Sequence, residues 1–192
     1  MPLYPASSYR PKGDEVGAAL DSSLLAWSYD ANLVDGTLTT PTAGTVYVAR
    51  IDVPRPISVT NLWFYVGTAG TGVTALASCF LGLYSASNVL LGQTATQATA
   101  WATVGEKSAA IVGGPITVSG PWVYAALLVG VQATTPLQHP RGNSRSDPTL
   151  TNFGYARPPY RVATQVAGGL TALPSPLGAL TAFHSTPLFG LS

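Results

Sequence analysis

Charge is what this 192-residue sequence has least of: nine Lys and Arg and eight Asp and Glu amount to 9% of the chain, where soluble proteins spend about a quarter. Residues 56–105 contain no Asp, Glu, Lys or Arg at all. A surface made of Thr, Ser, Gly, Ala and aromatic edges suits being covered, and it leaves few titratable groups for catalysis. The net charge of +1 lacks the basic excess of a nucleic-acid binder. Long apolar runs are missing too. The best, residues 122–131 (WVYAALLVGV), is half of the roughly 20 residues a membrane helix needs, so it reads as a buried strand and no membrane partner is expected. Cysteine occurs once, as Cys79. That excludes an internal disulfide or a thiolate cluster, and within SCFLGLY the residue reads as a small buried hydrophobe.

What is present points to strands. Apolar residues make up 46% of the chain, enough for a core, while 20 Gly and 16 Pro oppose long helices and favour turns. At this length one β-rich domain, with or without an extended arm, is the expected organisation. The opening MPLYPASSYRPKGDE lacks the basic start and apolar stretch of a secretory signal. Synthesis in a cytosol is therefore expected, with release by lysis or inside a particle.

Composition divides the chain. Residues 1–40 hold five of the eight acidic groups, and Pro2, Pro5 and Pro11 break up any ladder; this is read as an extended arm. Its Tyr4, Tyr9, Leu24, Leu25, Trp27 and Tyr29 are too apolar for a solvated tail, so the arm is expected to lie in a groove on its own or a neighbouring subunit. Residues 41–192 read as the folded domain. Segment 45–53 (TVYVARIDV) alternates, with Tyr47, Ala49, Ile51 and Val53 on one face and Val46, Val48, Arg50 and Asp52 on the other. Further strands are expected at 59–66, at 78–84 with both faces buried, at 89–94 after a turn at SASN, at 107–112, 116–118 and 122–131, and again at 161–164. Turn signals every 8 to 12 residues indicate an antiparallel β-sandwich, jelly-roll-like. Residues 132–160 form a loop of a length that is uncommon without a function. The uncharged stretch from 162 to 192 must be packed on its own sandwich or on a partner.

Catalytic constellations are thin. A glycosidase pair would have to come from Glu106 and Asp147. A Ser-His-Asp set would need His139 or His184 without the Gly-x-Ser-x-Gly elbow; both read better as loop or interface groups. Metal-ligand spacing is absent, GTAGTG lacks the Lys of a phosphate loop, and no cofactor is expected. One basic cluster stands out: His139, Arg141, Arg145, Arg157 and Arg161, interleaved with Phe153, Tyr155 and Tyr160 around the single acid Asp147. Arg and Tyr are enriched at protein interfaces, which is the preferred role for Arg141, Arg145, Tyr155, Arg157 and Tyr160. Contact with an anionic cell-wall glycan is the alternative.

The succession GTVYVARIDV, CFLGLYSASNVLLGQT, Trp101 before Gly105, WVYAALLVGV and finally Gly168 to Pro174 (GGLTALP) resembles a β-sandwich module of tail-associated and head-decorating proteins of bacteriophages that infect actinobacteria. The resemblance covers roughly residues 40–190 and brings no catalytic residue with it. It implies a non-enzymatic virion structural protein, made in the host bacterial cytoplasm and placed at the virion surface. Such modules often end a much larger tail protein, whereas here only the arm precedes it, which implies a separately attached accessory subunit. In that role Tyr4, Tyr9, Arg10 and Trp27 would anchor the arm to the major capsid or a tail protein. Uncharged strand faces would join copies into a trimer. Two other functions compete: a receptor-binding module that holds host cell-wall glycan through Trp63, Trp101 or Tyr155, and an envelope depolymerase relying on Glu106 and Asp147.

Overall fold

A computed structural model describes residues 23–29, 34–70, 78–130, 135–141, 152, 159–165, 168–185 and 187–192. It is all-β with antiparallel pairing, as composition and turn spacing required, and the two larger sheets share one core in the manner of a β-sandwich. In chain order the strands are β1 (Ala26–Trp27), β2 (Asp35–Thr39), β3 (Val46–Asp52), β4 (Ile57–Val59), β5 (Asn61–Val66), β6 (Cys79–Tyr84) and β7 (Leu90–Gln93). They continue with β8 (Gly105–Ala110), β9 (Ile116–Val118), β10 (Trp122–Val129), β11 (His139–Arg141), β12 (Val162–Gln165), β13 (Leu180–Ala182) and β14 (Phe189–Leu191). A four-stranded sheet has the order β1-β14-β5-β8 and a six-stranded sheet the order β13-β12-β3-β10-β6-β7. The ribbons β2-β11 and β4-β9 complete the set.

Alternation decides which side chains enter the core. In β3, Tyr47, Ala49 and Ile51 face the four-stranded sheet, together with Leu81 and Leu83 of β6 and Val123, Ala125 and Leu127 of β10. Opposite them stand Leu62, Phe64 and Val66 of β5 and Phe189 and Leu191 of β14. Cys79 is buried in this layer, and burial pushes its thiol up to about 12 from the ordinary 9.0. The expected strand 59–66 is split at Thr60 into β4 and β5, because Thr60 turns its backbone N–H to the carbonyl of Ser192 rather than into either ladder.

The six-stranded sheet is apolar on its second face as well. Val46 and Val48, Tyr84, Tyr124, Ala126, Leu128 and Ala163 form a separate cluster there, closed by Leu173 and Leu177 from the segment between β12 and β13. That segment crosses the sheet as a strap. The Leu170 amide donates to the Gly44 carbonyl (3.0 Å) and the Leu177 amide to the Asn88 carbonyl (2.9 Å). The Tyr84 hydroxyl donates to the Pro174 carbonyl (2.8 Å), and the Gly178 amide to Gln165 Oε1 (3.0 Å). Gly82 makes room for it: a Cβ on this residue would lie 2.6 Å from Leu173 Cδ1. The outer face of this sheet is thus covered by the protein's own chain. The hairpin between β6 and β7 turns at SASN as expected, with Ser85 Oγ accepting from the amides of Ser87 and Val89 and Asn88 at φ 64°, a conformation Asn tolerates.

Among the described residues no helix is long and apolar enough to cross a membrane.

Candidate functional site

Among the described residues, the second face of the four-stranded sheet is covered at one point, where Leu24 rests over Gly190. Alternation in NLWFYV sends Leu62, Phe64 and Val66 inward and leaves Trp63 and Tyr65 outward. Register then sets their neighbours: Trp27 of β1 is opposite Gly190 of β14, Gly190 is opposite Trp63, Trp63 is opposite Ser108 and Tyr65 opposite Glu106 of β8. Directly paired residues share a face, so two indoles flank a glycine two strand spacings apart, roughly 9.5 Å. Tyr65 and Glu106 form the next row. These groups, with Leu24 and Leu188, border a groove of about 110 Å³.

The groove is held in shape by its surroundings. The Trp63 indole N–H donates to Ser192 Oγ at 2.8 Å, which fixes the ring plane. Ser192 is in turn tied to β5, because its carbonyl accepts from the amides of Thr60 (2.6 Å) and Asn61 (2.8 Å). Gly190 is required by close approach: a Cβ there would lie 2.7 Å from Leu24 Cδ1 and 3.2 Å from Trp63 Cβ. The Leu24 isopropyl group therefore rests over Gly190, and the Leu25 amide donates to the Leu191 carbonyl at 2.7 Å. Tyr65 is 41% exposed. Glu106, also exposed, is the one charged residue among the described lining of the groove.

The residues singled out by sequence are placed differently from one another. Tyr4, Tyr9 and Arg10 lie outside the described residues, as do Arg145, Asp147, Phe153, Tyr155 and Arg157. Trp27, expected in an anchoring arm, is a strand residue of the sandwich, half-buried in the face just described. Arg141 ends β11, opposite Asp35. Tyr160 is partly buried against the strap cluster and its carbonyl accepts from the Tyr124 hydroxyl (3.0 Å). Arg161 lies over the Tyr29 ring at 5.0 Å, a contact of a cation with an aromatic face. Of the expected basic cluster, then, His139 and Tyr160 are packed inside the protein, while Arg161 is exposed with its guanidinium over Tyr29.

Two expectations are corrected. Trp101 is not available to a glycan: it is 0% exposed, lodged in the core 5.1 Å from the Phe64 ring. A single 3-10 turn at Ala100–Ala102 aims it there. His139, expected in a loop or interface, is fully buried in β11, which pairs with β2, with its ring 6.1 Å from that of Phe64. His184 is partly buried and stacks on Phe183 at 4.6 Å. Sequence reasoning missed Tyr65, Gly190, Leu24 and Leu188. The alternation of 61–66 carried the signal for Tyr65, whereas Gly190 and Leu24 join the site only through pairing between the two ends of the chain.

Chemically, the face offers stacking surface, hydroxyls and one carboxylate. Among the described residues no group of three His, Cys, Asp or Glu is placed to hold a metal ion. No protein-family model matches the chain, and no curated protein matches it either.

Proposed function

We propose that this chain is a non-enzymatic structural subunit of a bacteriophage virion, a decoration or minor tail protein. The N-terminal arm ahead of β1 holds it to the capsid or tail surface, and it assembles with its own copies. The module-like succession of residues 40–190 supports the virion assignment. One observation carries self-assembly: both edges of the six-stranded sheet lack charge. Strand β7 reads Leu-Leu-Gly-Gln and strand β13 Leu-Thr-Ala, and Val89 and Leu91 are 47% and 38% exposed. Edge strands of monomers are normally guarded by charges, Pro or bulges against pairing with other chains; β7 has one register shift against β6, between Leu83 and Tyr84, but no charge or Pro. By contrast β8, an edge of the four-stranded sheet, carries Glu106 and Lys107. Edge pairing around a threefold axis would give the trimer expected of such a subunit.

The test is labelling of density-banded phage particles with an antibody against the purified chain, viewed by electron microscopy. Regularly placed label on head or tail is the expected outcome. Particles free of label, with the chain left in the soluble lysate, would remove the virion assignment.

A further inference from the structure

We infer that the outer face of the four-stranded sheet is a binding site for a neutral saccharide, with Trp63 and Trp27 as stacking surfaces and Tyr65, Glu106 and Ser108 as the polar rim. Binding there is independent of whether the chain assembles on a particle.

The composition of the face selects the ligand. The pyranose ring of a hexose presents a flat C–H surface on one side and hydroxyls at its edge. It needs an aromatic plane beneath and hydrogen-bonding groups beside it, since a buried hydroxyl without a partner is costly. Pairing places Ser108 beside Trp63 and Glu106 beside Tyr65 on this one face, so the two needs are met in adjacent rows. The indole of Trp63 is already oriented by Ser192, so little ordering is required on binding. Leu24, seated over Gly190, fills the space between the indoles and adds an aliphatic wall to the groove, whose lining also includes Tyr65, Glu106 and Leu188.

Charge narrows the class further. Among the described residues Glu106 is the single charged group lining the groove; a carboxylate there accepts hydrogen bonds from hydroxyls and repels uronate or phosphate. An anionic wall polymer is therefore disfavoured here. An apolar helix from another protein would have to bury the Glu106 carboxylate, a cost that a sugar hydroxyl offsets by donating to it.

The test is titration of the full-length chain with maltohexaose, cellohexaose, mannohexaose and, as the anionic control, hexagalacturonate, followed by tryptophan fluorescence. Saturable change with at least one neutral hexasaccharide and none with hexagalacturonate is expected. Affinity should fall by about tenfold in Trp63→Ala and in Tyr65→Ala and by less in Glu106→Gln. Tyr65 is exposed, so its variant keeps the fold even if Trp63→Ala does not. Failure of all three neutral probes, equal binding by the Tyr65→Ala protein, or preference for hexagalacturonate overturns the proposal. So does a change in oligomeric state on Tyr65→Ala without loss of sugar binding, which would make the face a contact between copies.

Discussion

The two sheets of this protein treat their outer faces in opposite ways. Each has a glycine over which a leucine from a distant segment is laid, Leu173 over Gly82 and Leu24 over Gly190. On the six-stranded sheet that leucine belongs to a strap that buries the whole central face, with Leu177 beside it and hydrogen bonds to Tyr84, Asn88 and Gln165. On the four-stranded sheet, among the described residues, Leu24 stands nearly alone, and Trp27, Trp63 and Tyr65 keep contact with solvent. The edges reverse the pattern: the covered sheet has uncharged edges, and the open one has a charged edge in β8. Covering a face with the chain itself leaves only edges for association. Leaving a face open leaves a surface for a ligand.

Substitutions can break this contrast, beginning with the layer that both sheets share. Trp101→Ala removes a fully buried indole between them and should destabilise the fold by about 3–5 kcal/mol, read from urea unfolding. Loss of less than about 1 kcal/mol would mean that the core is looser than its packing implies. Leu173→Ala in the strap should cost about 2–3 kcal/mol, whereas Leu24→Ala should cost about 1 kcal/mol or less. Equal effects would erase the distinction between the two faces. Tyr84→Phe deletes the hydroxyl bonded to Pro174 and should cost about 1 kcal/mol, a direct check that the strap is held and not merely adjacent.

A smaller effect is expected from alkaline pH. Burial raises the Cys79 thiol to about 12 and the Tyr124 hydroxyl to about 12, from 9.0 and 10.0, and raises Tyr84 as well. Between those limits the unfolded chain releases protons that the folded one retains, so it binds fewer, and stability falls as pH rises above about 9. Thermal unfolding at increasing pH should show this decline, with a shallower slope in Cys79→Ala. A midpoint that rises with pH would contradict the burial of these groups.

Much of this organisation was legible where the signal is local. The alternation of 45–53 assigned every side chain of β3 to its face, and the unbroken apolarity of 78–84 announced a strand buried on both sides and that of 122–131 a buried strand. The uncharged stretch after 162 was read as packed on something, and Leu170, Leu173 and Leu177 lie against the protein's own sheet. What stayed hidden depends on partners distant in sequence. Trp101 sits in a Thr- and Ala-rich connection whose composition resembles an exposed loop, yet one short turn directs it against Phe64. His139 looked like a loop residue because its strand partner, β2, is about a hundred positions earlier. The aromatic face was half legible, since the period of two places Trp63 and Tyr65 together. Trp27 joins them only through β14, from the far end of the chain.

Self-association through the uncharged edges is tested most directly by sedimentation equilibrium of the full-length chain at micromolar concentration. Wild-type protein should sediment as an oligomer, a trimer if the copies close around a threefold axis, and Leu91→Lys with Thr181→Lys, one charge on each edge of the six-stranded sheet, should return it to the monomer. A wild-type chain that is already a clean monomer, or an oligomer that both edge charges leave intact, would contradict assembly through these edges.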